Sequence, residues 1–264
     1  MVPLFKSHYS IGRSILTLKP TSSEEGPSSI FDIAKAHSLK DIVLVEDTLT
    51  GFLEAYKGAK DLDFNLHFGL RLTVRENCTS EPPKGGDVTS HKIIIFAQNA
   101  DGCSKLNEIY SHAFTQGHGT IDFKCLKEYW DEKDLKMAVP FYDSFIFNNS
   151  MSFSSCLLDC DFTEPTLFIE SNDLPFDDML KTQCLEYSSK NNLPTERVKS
   201  VYYNKRDDFA AYQAYKCICS RSSFGRGSSL EKPNLDHCSS KEFCMESWAD
   251  TKKPATSAGF NGNE

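Results

Sequence analysis

Residues 91–114, HKIIIFAQNADGCSKLNEIYSHAF, carry the clearest structural signal in the chain. The first seven of them, residues 91–97, end in the apolar run IIIFA, which is typical of a buried strand. Asp101 then stands where a helix can begin, and apolar residues follow at helical spacing. The apolar face consists of Leu106, Ile109, Tyr110, Ala113 and Phe114. A buried strand followed directly by an amphipathic helix predicts one unit of an α/β fold.

The same alternation continues on both sides of this unit. Strands are predicted at residues 42–45, 66–74, 91–97, 135–139, 166–169 and 198–203. Helices are predicted at residues 52–59 and 175–191, and after Asp207 with an inner face of Ala211, Ala214, Tyr215 and Ile218. About seven strands alternating with helices imply a mostly parallel sheet, either covered by helices on both faces or closed into a barrel.

Composition narrows the class of protein. The 264 residues carry a net charge of −8, so the chain lacks the basic surface of a stand-alone DNA-binding protein. The longest clean apolar run, residues 93–97, is far too short to cross a membrane. Residues 1–6 show no secretion signal, so we expect a cytoplasmic protein. We predict one domain over residues 1–250 and a disordered polar tail over residues 251–264.

Ten cysteines occur without a C-x-x-C motif, and we expect them to be reduced. One group suggests a zinc site: Cys217, Cys219, His237, Cys238 and Cys244. Its spacing fits no standard zinc template, so the sequence favours small, half-buried apolar side chains over metal ligands.

Several short motifs follow one another in a fixed order. Residues 6–10 read KSHYS, residues 44–51 read LVEDTLTG and residues 91–99 read HKIIIFAQN. Further along, residues 168–170 read FIE and residues 201–208 read VYYNKRDD. In order and spacing they resemble the PHP (polymerase and histidinol phosphatase) domain at the N-terminus of the bacterial DNA polymerase III alpha subunit. That family has H-x-H-S-x-Y-S, L-T-D-H-x-N-L-x-G, H-x-x-x-L-A-x-N, Y-x-E and D-x-H-Y-x-x-x-x-D at these places.

The resemblance covers residues 2–248 and implies a distorted (β/α)7 barrel. Active members of the family hold a cluster of metal ions at the carboxyl ends of the strands, where the ions generate a hydroxide and neutralise phosphate charge. If this chain were active, the resemblance would imply a divalent metal cofactor such as zinc or manganese.

The residues at the implied metal positions depart from the family pattern. Leu4 and Lys6 replace the two histidines of H-x-H, and Arg71 replaces a glutamate. Ser200 and Tyr202 replace the acid and the histidine of D-x-H. Leucine cannot bind a metal ion, and the two cations would repel one. Most of the metal centre is therefore expected to be lost.

Four residues remain as candidate metal ligands: His8, Glu46, Asp47 and His91. His91 alone stands unchanged among the implied ligand positions, although a structural histidine at a strand start is the favoured interpretation. Because buried charges must be paired, Lys6 and Arg71 are expected to form ion pairs with Glu46 and Asp47 inside the former metal cavity.

Two functional hypotheses follow. The first is a non-catalytic structural or interaction module of DNA replication, without a cofactor, whose partners are replication proteins or DNA and not a membrane. The alternative is a metal-dependent phosphoesterase or 3′–5′ exonuclease whose ligands centre on His8, Glu46, Asp47 and His91. A divalent-ion-dependent phosphodiesterase assay separates the two hypotheses.

Overall fold

The structure is a computed structural model that describes residues 1–20, 26–78, 89–152, 154–219 and 240–252. Its strands are β1 (Val2–Phe5), β2 (Asp41–Glu46), β3 (Asn65–Arg75), β4 (Ser90–Ala97), β5 (Thr120–Ile121), β6 (Leu135–Val139), β7 (Thr166–Ile169) and β8 (Thr195–Val201). Its helices are α1 (Ile30–Ala36), α2 (Phe52–Asp61), α3 (Ala100–Thr115), α4 (Phe123–Tyr129), α5 (Phe145–Met151), α6 (Asp177–Asn191), α7 (Phe209–Cys219) and α8 (Met245–Asp250).

Seven of these strands close into a barrel. The hydrogen-bonded order is β2-β1-β8-β7-β6-β4-β3, and β3 pairs back onto β2 to complete the ring. β4 runs antiparallel to both of its neighbours, whereas the other pairings in the ring are parallel. The short β5 lies outside the ring and extends β3. The predicted α/β fold and the distorted seven-stranded barrel are therefore confirmed.

The strands bury both of their faces, which explains their continuous apolar runs. In β4, Ile94 points into the barrel and belongs to the small interior cluster, while Ile93 and Ile95 point outward against the helices. The interior cluster contains Leu4, Val45, Ile94, Ala138, Phe168 and Val198. The larger apolar core therefore lies between the outer face of the barrel and the helices.

The helix α3 follows the prediction, with two differences. Its N-cap is Asn99, whose side chain accepts the Gly102 N–H at 2.8 Å, so Asp101 lies within the first turn. Leu106, Ile109 and Ala113 are buried, but Phe114 is 52% exposed and packs against Tyr110 with its ring tilted by 37°. Phe114 was predicted to be buried because it lies at helical spacing from Leu106 and Tyr110. The buried face of α3 is narrower than the apolar face of its sequence, so Phe114 lies outside the core.

The predicted inner face of α7 was wrong. The buried side chains are Tyr212, Gln213 and Lys216, whereas Ile218 is 66% exposed. Polar Gln213 and Lys216 share the buried face with Tyr212, so hydrophobicity alone gives the wrong helical phase. Among the described residues, every helix is too short or too polar to cross a lipid bilayer.

Candidate functional site at the barrel mouth

Charged side chains gather at the rim formed by the carboxyl ends of the parallel strands, which we call the barrel mouth. Lys6 directly follows β1, Glu46 ends β2 and Asp47 comes next. The register pairs Glu46 with Leu70, which brings Arg71 of β3 level with Asp47. Asp143 enters from the loop after β6. Because parallel strands end at the same rim, residues far apart in the sequence meet there.

Asp47 lies between two cations. Its Oδ1 is 2.8 Å from Arg71 Nε and 3.1 Å from Lys6 Nζ. Arg71 also donates from Nη1 to Asp143 Oδ2 at 3.3 Å. The side chains of Lys6 and Arg71 are 5% and 8% exposed, whereas those of Asp47 and Asp143 are 26% and 29% exposed. The two cations are therefore the deeper layer, and the two acids separate them from solvent.

The pKa values of this group reflect burial opposed by ion pairing. Burial lowers the pKa of Lys6 to about 8, although Asp47 pulls it upward. Burial alone would raise the pKa of Asp47, but Lys6 and Arg71 together hold it well below its usual range. Burial would lower the pKa of Arg71, but Asp47 and Asp143 outweigh it and raise that pKa. At neutral pH Asp47 and Arg71 are therefore charged and paired.

Glu46 is satisfied by neutral donors. It is fully buried, and its Oε1 accepts the Ser7 N–H at 2.8 Å. The Ser10 hydroxyl donates to Glu46 Oε2 and accepts the Asp47 N–H at 2.9 Å. Burial raises the pKa of Glu46, against the lowering effects of Lys6 and of these hydrogen bonds. The predicted contact of Glu46 with the cations is thus electrostatic, whereas Asp47 forms the direct ion pairs.

Glu170 is another acid of the mouth that is hydrogen-bonded by neutral donors. Glu170, which follows β7, accepts the Ser200 N–H and the Ser200 hydroxyl, each at 2.9 Å. It also accepts from Asn172 Nδ2 at 3.1 Å. Three of the roughly four lone-pair sites of this carboxylate are therefore engaged by the chain itself.

The cavity beside Lys6 and Arg71 is small. A cavity of about 30 Å³ lies among residues that include Lys6, Arg71, Glu170 and Ser200. This is room on the scale of one or two water molecules. A cluster of hydrated metal ions together with a phosphate ester needs far more space.

The four candidate ligands do not form one site. Glu46 and Asp47 lie at the mouth, but His8 directs Nδ1 to the Leu16 carbonyl at 3.3 Å. His91 lies on the outer face of β4, between the rings of Phe123 and Phe145, with centroid distances of 5.9 and 6.0 Å. Burial there lowers the pKa of His91 to about 4. Strand alternation turns His91 away from the mouth and turns Lys92 toward it.

The residues at the mouth do not fit a family-type metal centre. Within the described chain, no three His, Cys, Asp or Glu side chains of the mouth bring their ligand atoms within 4.8 Å of one another. Asp47 already accepts from two cations, and Glu46 and Glu170 accept from the chain. Two buried cations beside the acids would also repel a divalent ion.

Two mouth residues were missed by the sequence analysis. Lys92 donates from Nζ to the Thr73 hydroxyl, and burial and then Arg71 lower its pKa. Asp143 lies in a loop at a positive φ of 61°. The alternation along β4 could have pointed to Lys92, because residue 92 must face opposite to residue 91. No local pattern marks Asp143.

The cysteine group for which the sequence analysis disfavoured zinc forms no metal site among its described members, Cys217, Cys219 and Cys244. Cys244 caps α8, where its sulfur accepts the Ser247 N–H at 3.5 Å, and Cys219 is exposed at the end of α7. His237 and Cys238 lie outside the described residues.

Comparisons with known proteins add one structural likeness. A scan against protein-family models and a search of curated proteins found no match. One solved structure that matches is provisionally described as a metal-dependent phosphoesterase from Bifidobacterium adolescentis. It has a TM-score of 0.37 and 9% sequence identity, and the match covers 75% of this chain and 87% of that chain. Similarity this low assigns neither a family nor an activity to the chain.

Proposed function

We propose that the chain is a non-catalytic interaction module built on a phosphoesterase-like barrel. The observation that carries the proposal is the ion-paired mouth, where Lys6 and Arg71 hold Asp47. In the PHP domains that the sequence resembles, this place serves to bind metal ions. Here the positive charge is supplied by side chains, which offer no open coordination position for a substrate.

The charge balance supports this proposal. Within the ion pairs, two cations, Lys6 and Arg71, face two acids, Asp47 and Asp143, so these four formal charges cancel. The other charged groups of the mouth are hydrogen-bonded to neutral groups; they are Lys92, Glu46 and Glu170. A metal ion that took Asp47 as its ligand would leave Lys6 without its acid in a buried place. An uncompensated buried charge costs several kcal/mol, so the network resists metal binding.

For the partner we propose a replication protein, reached in the cytoplasm. The order of the sequence motifs resembles that of a domain which packs against a polymerase body. The net charge of −8 favours a protein partner over DNA, because an acidic surface repels phosphates.

A phosphodiesterase assay tests the absence of catalysis. The purified full chain is incubated with a model phosphodiester and with Mn²⁺, Zn²⁺ or Mg²⁺, beside Asp47→Ala. Asp41→Ala is the matched control, because Asp41 is an exposed acid at the far end of the same strand, β2. We expect no turnover above buffer in any sample. Turnover that Asp47→Ala abolishes and Asp41→Ala retains would overturn the proposal and favour the phosphoesterase or 3′–5′ exonuclease.

DNA binding is tested separately by fluorescence anisotropy with single-stranded and duplex oligonucleotides. We expect no binding at physiological salt. Binding that weakens steeply with salt would overturn the proposed protein partner and indicate DNA as the partner.

A further inference from the structure

We propose that Cys78, His112 and Cys125 bind one Zn²⁺ ion at a site separate from the barrel mouth. Cys78 follows β3, His112 lies in the last turn of α3 and Cys125 lies in α4. The three side chains thus come from three different elements that meet on the outer side of the barrel. This inference is independent of the proposed function.

The geometry of the sulfur atoms fits a metal ion. The ligand atoms of the three side chains all lie within 4.8 Å of one another, and the two sulfurs are 3.9 Å apart. A tetrahedral zinc ion at about 2.3 Å from each sulfur would separate the sulfurs by about 3.8 Å. A disulfide requires only about 2.05 Å. The observed separation excludes a disulfide and fits two sulfurs bound to one ion, but it also fits an S–H···S hydrogen bond between two thiols, so the histidine must supply the further evidence for an ion.

The ring of His112 offers a nitrogen atom to the same ion. Nε2 is buried, and among the described residues it has no hydrogen-bond partner. Nδ1 lies 3.3 Å from the hydroxyl of Tyr129. If Nδ1 carries the proton and donates to Tyr129, Nε2 presents its lone pair. This is the arrangement in which histidine ligates zinc while an outer residue fixes its tautomer.

A carboxylate holds both cysteines in place. Asp122 caps α4 by accepting the Cys125 N–H at 2.7 Å, and its other oxygen accepts the Cys78 N–H at 3.1 Å. Arg75 also donates to the Cys78 carbonyl at 2.7 Å. The backbone at both sulfur ligands is therefore fixed before any ion binds. Pre-organised ligands of this kind raise metal affinity.

The donor set selects the ion. Two thiolates and an imidazole suit Zn²⁺, whereas Mg²⁺, Mn²⁺ and Ca²⁺ prefer oxygen ligands. With three protein ligands, the fourth position is assigned to a water molecule. The ion would join the end of β3 to α3 and α4, and would therefore stabilise this side of the barrel.

The test uses the full chain, purified under reducing conditions and titrated with Zn²⁺ or Co²⁺. We expect one ion per chain and, with Co²⁺, the strong near-ultraviolet absorption of thiolate-to-cobalt charge transfer. His112→Gln and Cys125→Ser are expected to weaken binding at least tenfold and to diminish this absorption. Cys103→Ser is the matched control, because Cys103 is a half-buried thiol on the same helix α3 outside the cluster.

Three results would overturn the proposal. They are a folded, reduced wild-type chain that binds no Co²⁺, a charge-transfer band that survives intact in Cys125→Ser, and a Cys78–Cys125 disulfide found by non-reducing peptide mapping. The wild-type Co²⁺ spectrum decides the question even if a variant fails to fold. A metal centre at the mouth would instead add ions beyond the first, which Asp47→Asn would remove without loss of the thiolate band.

Discussion

Asp47 carries the charge balance of the barrel mouth. It accepts from Lys6 and Arg71, and both cations are almost completely buried. Replacing it by Asn removes the negative charge and keeps the shape of the side chain. We expect Asp47→Asn to lower the free energy of unfolding by about 3 kcal/mol, the lower end of the cost of breaking a buried ion pair, because Lys6 loses its partner whereas Arg71 keeps Asp143. Urea denaturation at pH 7 measures this change.

Two controls belong to this prediction. Asp41→Asn, an exposed acid on the same strand, is expected to change stability by less than about 1 kcal/mol. Adding Lys6→Met to Asp47→Asn should recover part of the loss, because one uncompensated cation is removed. A loss below about 1 kcal/mol for Asp47→Asn would show that solvent, rather than Asp47, compensates the cations.

His91 makes stability sensitive to acid. Burial between two phenyl rings lowers its pKa to about 4, whereas an unfolded histidine has a pKa near 6.5. The unfolded chain therefore binds the proton first, and the contribution of His91 is lost as the pH falls from about 6.5 toward 4. By pH 5 this loss amounts to about 2 kcal/mol.

His91→Phe removes this part of the acid sensitivity. We expect the difference in unfolding free energy between pH 7 and pH 5 to shrink by about 2 kcal/mol relative to the wild type. Urea denaturation at both pH values gives the difference. An unchanged pH dependence would mean that the pKa of His91 is not lowered in the folded protein.

At the scale of elements, the first turn of α3 packs directly on the segment before β6. A Cβ atom at Gly102 would overlap the carbonyl oxygen of Asp134. Alanine favours a helix over glycine by about 1 kcal/mol, but here the overlap dominates. We therefore expect Gly102→Ala to destabilise the protein by about 1–3 kcal/mol in thermal or urea unfolding.

Ser104→Ala is the control for this prediction. Ser104 is exposed on the same helix, two residues further on, and its replacement should change stability by less than about 0.5 kcal/mol. If Gly102→Ala proved stabilising, the packing of α3 on this segment would have to be looser than described.

At the scale of the whole molecule, α8 joins the two ends of the described chain. Trp248 is 2% exposed, packs in the larger core and donates from Nε1 to the Met1 carbonyl at 3.1 Å. We expect Trp248→Ala to lower the free energy of unfolding by about 3–5 kcal/mol, because a large cavity opens and a hydrogen bond is lost.

Phe114→Ala provides the matched aromatic control. Phe114 is 52% exposed, so its removal should cost much less than that of Trp248, about 1 kcal/mol or less. Thermal unfolding of the two variants side by side gives the comparison. Equal losses would place α8 outside the cooperative core.

The pairing at the mouth could be predicted in part. Asp47 follows the predicted strand at residues 42–45, and the family resemblance places Lys6 in the same former metal cavity. Since a buried cation needs an acid, their contact could be predicted. The contribution of Asp143 could not be predicted, because it depends on the path of a loop. Cys78, His112 and Cys125 lie far apart in the sequence, and no spacing template connects them.

The sequence by itself determined the longer elements, namely β2, β3, β4, β6, β7 and β8 with the helices α2, α3, α6 and α7, since hydrophobic period is a local property that each segment carries alone. The remaining strands and helices, β1 and β5 among them, are short and were not predicted. Only the tertiary structure decided that β3 closes onto β2, that β4 runs antiparallel, and that His91 faces outward while Lys92 faces the mouth. These outcomes depend on register and on contacts between distant residues. A shift of one residue in a strand exchanges its two faces without changing its composition.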